Sequence, residues 1–398
     1  MTRPGAFTPI SPITGALALW LAAPATAVED HAGNPYAEDA RGLAGLIREN
    51  YAYLGDLPGG VVPTSPALEA ERDAVHDKDS LLRYAEDMMT ALADHHALTG
   101  TSFNDDWAIV PSYADLWIVK RGNAYFVDAV KEGSVAARSG VRQGERLVMV
   151  DGRPIAEAVS AFWARLGLQP VGERGPYAAR VLAAGRRDRP RVLTFADRHA
   201  ERTLTLDSVY KDRAERSALT VFRSTSVTRI RFNNSIGDQA TIGEFDAAMA
   251  KVAPGAPVVI DVSDTPSGGN SSIARAVMGW FVRKPMPYQM HQLPAEERET
   301  GIPRQWVEYV LPRPAKYHPG PVSVRVGRWT ASMGEGIAVG FQALGKAVCG
   351  TRMAGLKGAV YDFDLPKTGL RVKFPAERIY TVSGVPRHQV LPRRCARA

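Results

Sequence analysis

Pro257-Val258-Val259-Ile260-Asp261-Val262-Ser263-Asp264 runs straight into Thr265-Pro266-Ser267-Gly268-Gly269-Asn270. Its apolar residues are consecutive rather than alternating, which is the pattern of a strand covered on both faces of a sheet. Working outward, residues 227–232 read as a strand and 242–252 as a helix. Downstream, 271–282 read as a helix, 322–326 as a strand, 332–344 as a helix and 346–349 as a strand. Strand alternating with helix from about residue 217 onward argues for an α/β layer.

The upstream half reads differently. Residues 36–100 are helical in pattern, most clearly over 80–96, where Leu81, Ala85, Met88 and Leu92 recur at helical spacing and Thr99-Gly100 stops the run. Residues 101–106 form a linker into short β-like runs at 115–119, 124–127 and 146–150, separated by turns at Gly140, Gly144 and Asp151-Gly152. Residues 191–195 and 202–206 read as a closing hairpin. No repeat recurs at a fixed period.

A hydrophobic fraction of 45% and a charged fraction of 23% are those of an ordinary globular protein, and they exclude fibrous, repetitive and largely disordered chains. Arg3, the apolar stretch 13–23 and Ala25-Thr26-Ala27 have the form of a signal peptide over residues 1–27, cleaved before Val28. A buried first helix is the competing reading, and Pro24 with the polar residues after Ala27 argues against it. The stretch is short for a membrane span and no later segment qualifies. The expectation is a protein exported to a periplasm or secreted. Residues 28–106 carry 16 Asp and Glu against 5 Lys and Arg while the chain totals +7, so the positive charge lies beyond residue 106. It is scattered, with no basic run interleaved with aromatics, which reads as a solvated basic surface and not as a nucleic-acid site. Two cysteines make neither a disulfide framework nor a metal site. Cys349 reads as a small core residue, and export also permits a bridge to Cys395 in the basic tail, 393–398.

Two strand–loop–helix junctions carry chemistry. Gly268 and Gly269 let backbone N–H groups face an oxyanion or phosphate, though the same loop describes a tight turn. In Gly327-Arg328-Trp329-Thr330-Ala331-Ser332-Met333-Gly334-Glu335-Gly336, Ser332 opens an amphipathic helix and the Met333 N–H is free for an oxyanion. Read from this loop alone, Ser332 with Glu335 is first a helix cap of the capping-box form. Two groups are candidate bases for the serine. Lys357 lies in a Gly-Leu-Lys-Gly turn and needs its pKa lowered by about three units. His95 and His96 close the N-terminal helix, and histidine needs less tuning. The bland alternatives are an exposed turn lysine and a helix-capping histidine.

Taken together these motifs resemble the C-terminal processing (tail-specific) peptidase family, which includes the tricorn core. The resemblance follows the family's order over nearly the whole chain after residue 27. It begins with Leu92-Ala93-Asp94-His95-His96 and a PDZ-like stretch from Gly133 to Glu145 and on to Gly152. Asp261 to Asn270, Thr330 to Glu335, Gly350-Thr351 and Gly355 to Gly358 complete it. It implies an α/β multidomain protein with an N-terminal helical segment (28–105), a PDZ-like β-rich module (106–212) and a crotonase-like α/β serine peptidase domain (217–392). It implies Ser332 as nucleophile, Glu335 as the acidic residue three positions on, and an oxyanion hole from Met333 and Gly268 or Gly269. The tail-specific branch has a lysine base 25 residues after the serine, where Lys357 stands; the tricorn-like branch has an N-terminal histidine, which His96 matches. The implied activity is endopeptidase hydrolysis of unstructured or C-terminal segments through an acyl-enzyme, with no metal or organic cofactor. Departures are Ser263 where many members have arginine and His388 where tricorn-like relatives have glutamate. Ser208-Val209-Tyr210-Lys211, Ser263-Asp264-Thr265 and Lys367-Thr368-Gly369 mimic penicillin-recognising enzymes in order, yet charged residues follow the first motif and the second lacks its asparagine. The remaining alternative is a catalytically inactive scaffold that binds peptide tails or apolar ligands.

Overall fold

The apolar run around Ile260 forms the strand Val258–Thr265 at the centre of a parallel sheet. A computed structural model gives residues 33–211 and 216–395; the expected signal peptide, 1–27, lies outside these described residues. The sheet runs Ala347–Gly350, Val322–Val326, Val258–Thr265, Thr228–Asn233 and Leu219–Arg223, parallel except for the last, with Trp329–Thr330 pairing beside Asp264–Thr265. Helices Ala240–Met249, Ser271–Met278 and Met333–Ala343 alternate with the strands. Ile260, Val262, Phe245 and Phe341 are buried in one shared core. The alternation read from the sequence is therefore present, with the helix expected over 271–282 ending as a 3-10 turn, Gly279–Phe281.

A second sheet was not legible in the sequence. It is antiparallel, ordered Leu98–Thr99, Arg371–Tyr380, Met286–Gln292 and Gln305–Val310, with Ala359–Asp364 on Arg371–Tyr380. Its inward positions carry polar residues: His291 Nδ1 lies 2.8 Å from Glu377 Oε2, and Glu308 accepts from Gln289 at 3.0 Å. A polar interior erases the hydrophobic alternation by which strands are recognised.

The third sheet comprises Leu116–Arg121, Ala124–Val130, Arg146–Val150, Arg191–Ala196 and Glu201–Leu206, the last two forming the expected hairpin. Two helices, Ile155–Ala164 and Arg174–Ala184, fall inside a stretch where only β-like runs were expected. This sheet shares one hydrophobic core with helices Pro35–Asn50, Pro66–Asp73 and Lys78–Ala91, and with Val372 and Phe374 of the antiparallel sheet.

Two details position the site. The helix expected over 80–96 ends at Ala91, because Ala93 takes a left-handed conformation (φ 50°) and the chain turns through Asp94 into the strand Leu98–Thr99. That strand pairs with Val372 and Lys373, which ties the His95-His96 turn to the C-terminal half. At the other end, Cys349 and Cys395 form a disulfide across 46 residues, and Arg393 O accepts from Gly350 N at 2.8 Å. The bridge permitted by export is the arrangement found, in place of a free core cysteine.

Candidate active site

Ser332 stands between the short strand Trp329–Thr330 and the helix Met333–Ala343 with φ 52° and ψ −115°. A non-glycine residue held there costs on the order of 1–3 kcal/mol, and such strain persists only where neighbours impose it. The sharp strand-to-helix turn lifts the hydroxyl out of the loop. Its Oγ lies 3.0 Å from His96 Nε2.

The tautomer of His96 follows from its second partner. Nδ1 lies 2.7 Å from the carbonyl oxygen of Lys357, which can only accept, so Nδ1 carries the proton. Nε2 is then the acceptor and Ser332 the donor. The turn that carries the ring is held as well, since the His96 backbone N–H donates to Asp94 Oδ1 at 2.9 Å and Tyr51 OH donates to Asp94 Oδ2 at 2.8 Å. Burial lowers the His96 pKa below its usual value, against the Asp94 charge and the Lys357 carbonyl, which raise it. The imidazole is therefore neutral at neutral pH and able to accept a proton.

Lys357 meets the site by its backbone and not by its ammonium. Nζ pairs with Asp56 Oδ2 at 3.2 Å and lies 5.1 Å from the Tyr53 ring centroid. The Lys357 side chain is thus engaged by a carboxylate and an aromatic face, while its backbone carbonyl orients His96. His95 and His388 pack against other partners. His95 accepts from Arg180 Nε at 2.8 Å and stacks on Tyr177, and His388 packs edge-on to Tyr53.

Glu335 joins the serine to the loop that carries that carbonyl. Fully buried, its carboxylate accepts from Ser332 N (3.0 Å), Gly355 N (2.9 Å) and Leu356 N (3.1 Å). Burial pushes its pKa up to about 7, opposed by Arg387 and these N–H groups. Arg387, itself 3% exposed, donates to Gly358 O at 2.6 Å and Leu356 O at 3.4 Å, clamping the same loop from its other side. Tyr51 and Arg387 were not singled out from sequence; each acts through a contact more than 25 residues away, which no local motif signals.

The glycine loop closes against the serine. Gly268 has φ 61°, and a Cβ there would lie 2.6 Å from Ser332 Cβ; one on Gly269 would lie 2.2 Å from the Ile236 backbone. Both positions therefore require glycine. Gly268 N donates to Thr265 O at 3.1 Å, so its N–H is committed to the turn. Gly269 and Met333 are the candidates that remain, the latter in the first helical position, where N–H groups lack an intrahelical acceptor. The penicillin-type motifs do not assemble: Ser208 donates to Arg187 O, while Lys367 N and Thr368 N donate to Asp39. Among the described residues no cluster of His, Cys, Asp and Glu is arranged to hold a metal.

The profile of peptidase family S41 matches residues 227–392, the span that holds Ser332, Glu335, both glycines and the Lys357 loop. No curated protein sequence matches the chain. Among solved structures, the photosystem II D1 C-terminal processing protease is 16% identical over 90% of this chain and 91% of its own, with a TM-score of 0.52. Mature CPAF complexed with lactacystin is 14% identical over 90% of this chain and 92% of its own, with a TM-score of 0.56. At these identities the likeness is one of fold, and it extends over the helices and the third sheet as well as residues 227–392. Residues 227–392 thus match peptidase family S41, the C-terminal processing peptidase family, and that match supports a serine-type hydrolase.

Proposed function

We propose that the protein is an exported endopeptidase that cleaves unstructured or C-terminal segments of proteins through an acyl-enzyme on Ser332, with His96 as its general base. The observation that carries this reading is the pair of contacts on one imidazole, 3.0 Å to Ser332 Oγ and 2.7 Å to Lys357 O. Ser332 attacks the scissile carbonyl as its proton passes to His96 Nε2, and His96 returns that proton to the leaving amine. Water then attacks the ester by the same route. Asp94 and the Lys357 carbonyl favour the imidazolium that forms transiently, in place of a carboxylate on Nδ1. The N–H groups of Met333 and Gly269 receive the oxyanion, at roughly 3 kcal/mol for each donor in comparable sites. General-base assistance adds about 10²–10⁴-fold. Glu335 positions the serine loop.

In this reading residues 106–212 are a PDZ-like module and 217–392 a crotonase-like domain, with an extended peptide lying between them. An inactive scaffold would have left Ser332 without a base, and the His96 contact favours the enzyme. The test is incubation of the chain lacking residues 1–27 with an unfolded protein, followed by mass spectrometry. The reading requires cleavage that disappears in a folded Ser332→Ala variant; equal cleavage by that variant would end it.

A further inference from the structure

Scattered basic residues become a cluster in the fold. A cleft of about 1280 Å³ opens between the third sheet, at Asp128–Glu132 and Val141–Gln143, and the ends of three parallel strands. Those strand ends are Ser263-Asp264, Arg325–Trp329 and Gly350–Arg352, the same edge from which Ser332 projects, three residues beyond Trp329. Ligands of parallel sheets bind at the carboxyl ends of the strands. Arg328 and Arg352 also line a neighbouring cavity that reaches Glu335 and the Gly355–Lys357 loop, so the basic wall runs up to the site.

Seven Lys and Arg residues line the cleft against three carboxylates. Those carboxylates are already engaged by cleft cations. Asp128 holds Arg328 at 2.7 Å, Asp264 holds Lys131 at 3.2 Å and Arg231 at 3.0 Å, and Glu132 lies 3.8 Å from Arg231. Arg142, Arg325, Arg352 and Arg394 remain, all exposed and, among the described residues, without an ion-pair partner. Arg394 is there because the tail is stapled: the Cys349–Cys395 disulfide and the Arg393 O to Gly350 N hydrogen bond fix Leu391–Cys395 as one wall.

We infer that this cleft is a substrate subsite selecting peptide segments rich in Asp and Glu, with the disulfide-held tail as part of its recognition surface. The inference rests on the peptidase reading above and adds the substrate's charge class. Four guanidiniums free of carboxylates attract discrete side-chain carboxylates and raise the encounter rate, an effect that salt screens. The three interspersed acids would oppose a continuous polyanion, which favours an acidic peptide over a nucleic-acid strand.

The test compares three unstructured peptides alike except that their Asp and Glu positions are kept, changed to Asn and Gln, or changed to Lys. The acidic peptide is expected to show kcat/KM on the order of ten-fold above the neutral one at low ionic strength, falling toward parity near half-molar salt. Arg325→Glu with Arg394→Glu should erase or invert that ratio, and Cys395→Ser should reduce it. Fluorescence anisotropy of the labelled acidic peptide on Ser332→Ala reads binding without chemistry. Equal cleavage and equal binding of the acidic and neutral peptides would overturn the inference and leave the peptidase reading standing. Salt-sensitive preference for the acidic peptide on Ser332→Ala, with no cleavage by the wild type, would uphold the subsite and remove the peptidase. Displacement of the acidic peptide by a single-stranded oligonucleotide of equal charge at lower concentration than by the peptide itself would also overturn it.

Discussion

Placing one methyl group on Gly268 should disable the site while sparing the fold. The Cβ of Gly268→Ala would stand 2.6 Å from Ser332 Cβ and 3.1 Å from its Oγ, where ordinary contact begins near 3.4 Å. The serine or the glycine loop must therefore yield by about 0.8 Å, the difference between those two separations. Either movement harms the chemistry, because one shifts the nucleophile from His96 and the other shifts the Gly269 N–H. A misplacement of about 1 Å costs roughly 10²-fold in rate. The left-handed backbone at φ 61° adds about 1–2 kcal/mol of instability for alanine. Steady-state cleavage of a quenched peptide should show kcat down by about two orders of magnitude with KM little changed. Circular dichroism and a urea titration confirm that the variant is folded. Gly243→Ala is the control, since a Cβ there meets nothing within 4 Å and the residue lies in the helix Ala240–Met249. A folded Gly268→Ala enzyme with kcat within about three-fold of the wild type would show that the close approach to Ser332 does not matter, and would refute the reasoning.

The pH profile reports the base. Because the His96 pKa is lowered by burial, kcat/KM should fall only below pH 6.5 and be flat above neutrality; a limb near pH 8 or higher would implicate a lysine. The same depressed pKa means that His96 contributes stability above about pH 6.5 that is lost as pH falls through the folded value, visible as a lower urea midpoint at pH 5. Arg387→Met removes both hydrogen bonds from Arg387 to the Leu356–Gly358 loop and the positive charge that favours the Glu335 carboxylate. It should cost about 1–3 kcal/mol in thermal unfolding and lower kcat, with partial rescue by Arg387→Lys; an unchanged kcat would dissociate that loop from His96. Reducing the disulfide, whose cysteines are 46 residues apart, should lower stability by about 4 kcal/mol in the loop-entropy picture, and an unshifted urea midpoint would count against it.

What the sequence revealed was local. Ser332, Glu335 and the paired glycines sit in two loops whose flanking strands and helices are visible as apolar runs. The choice between Lys357 and His96 was not visible, because it depends on Leu98 and Thr99 pairing with Lys373 and Val372, some 270 residues away. The same non-local pairing ends the helix at Ala91, where continuing periodicity suggested His96 as its cap. The arginine cleft was hidden for a related reason. Arg142, Arg325, Arg352 and Arg394 come from separate elements, so they read as scattered surface charge until the strands align.

The most direct measurement compares kcat/KM for His96→Ala, Lys357→Ala and Ser332→Ala on one unfolded protein substrate. Lys357 serves His96 through its backbone carbonyl, which alanine retains. The account predicts that His96→Ala falls by about 10³-fold or more, toward the level of Ser332→Ala, while Lys357→Ala keeps most of its activity. Loss of cleavage in a folded Lys357→Ala enzyme, with His96→Ala still active, would contradict it.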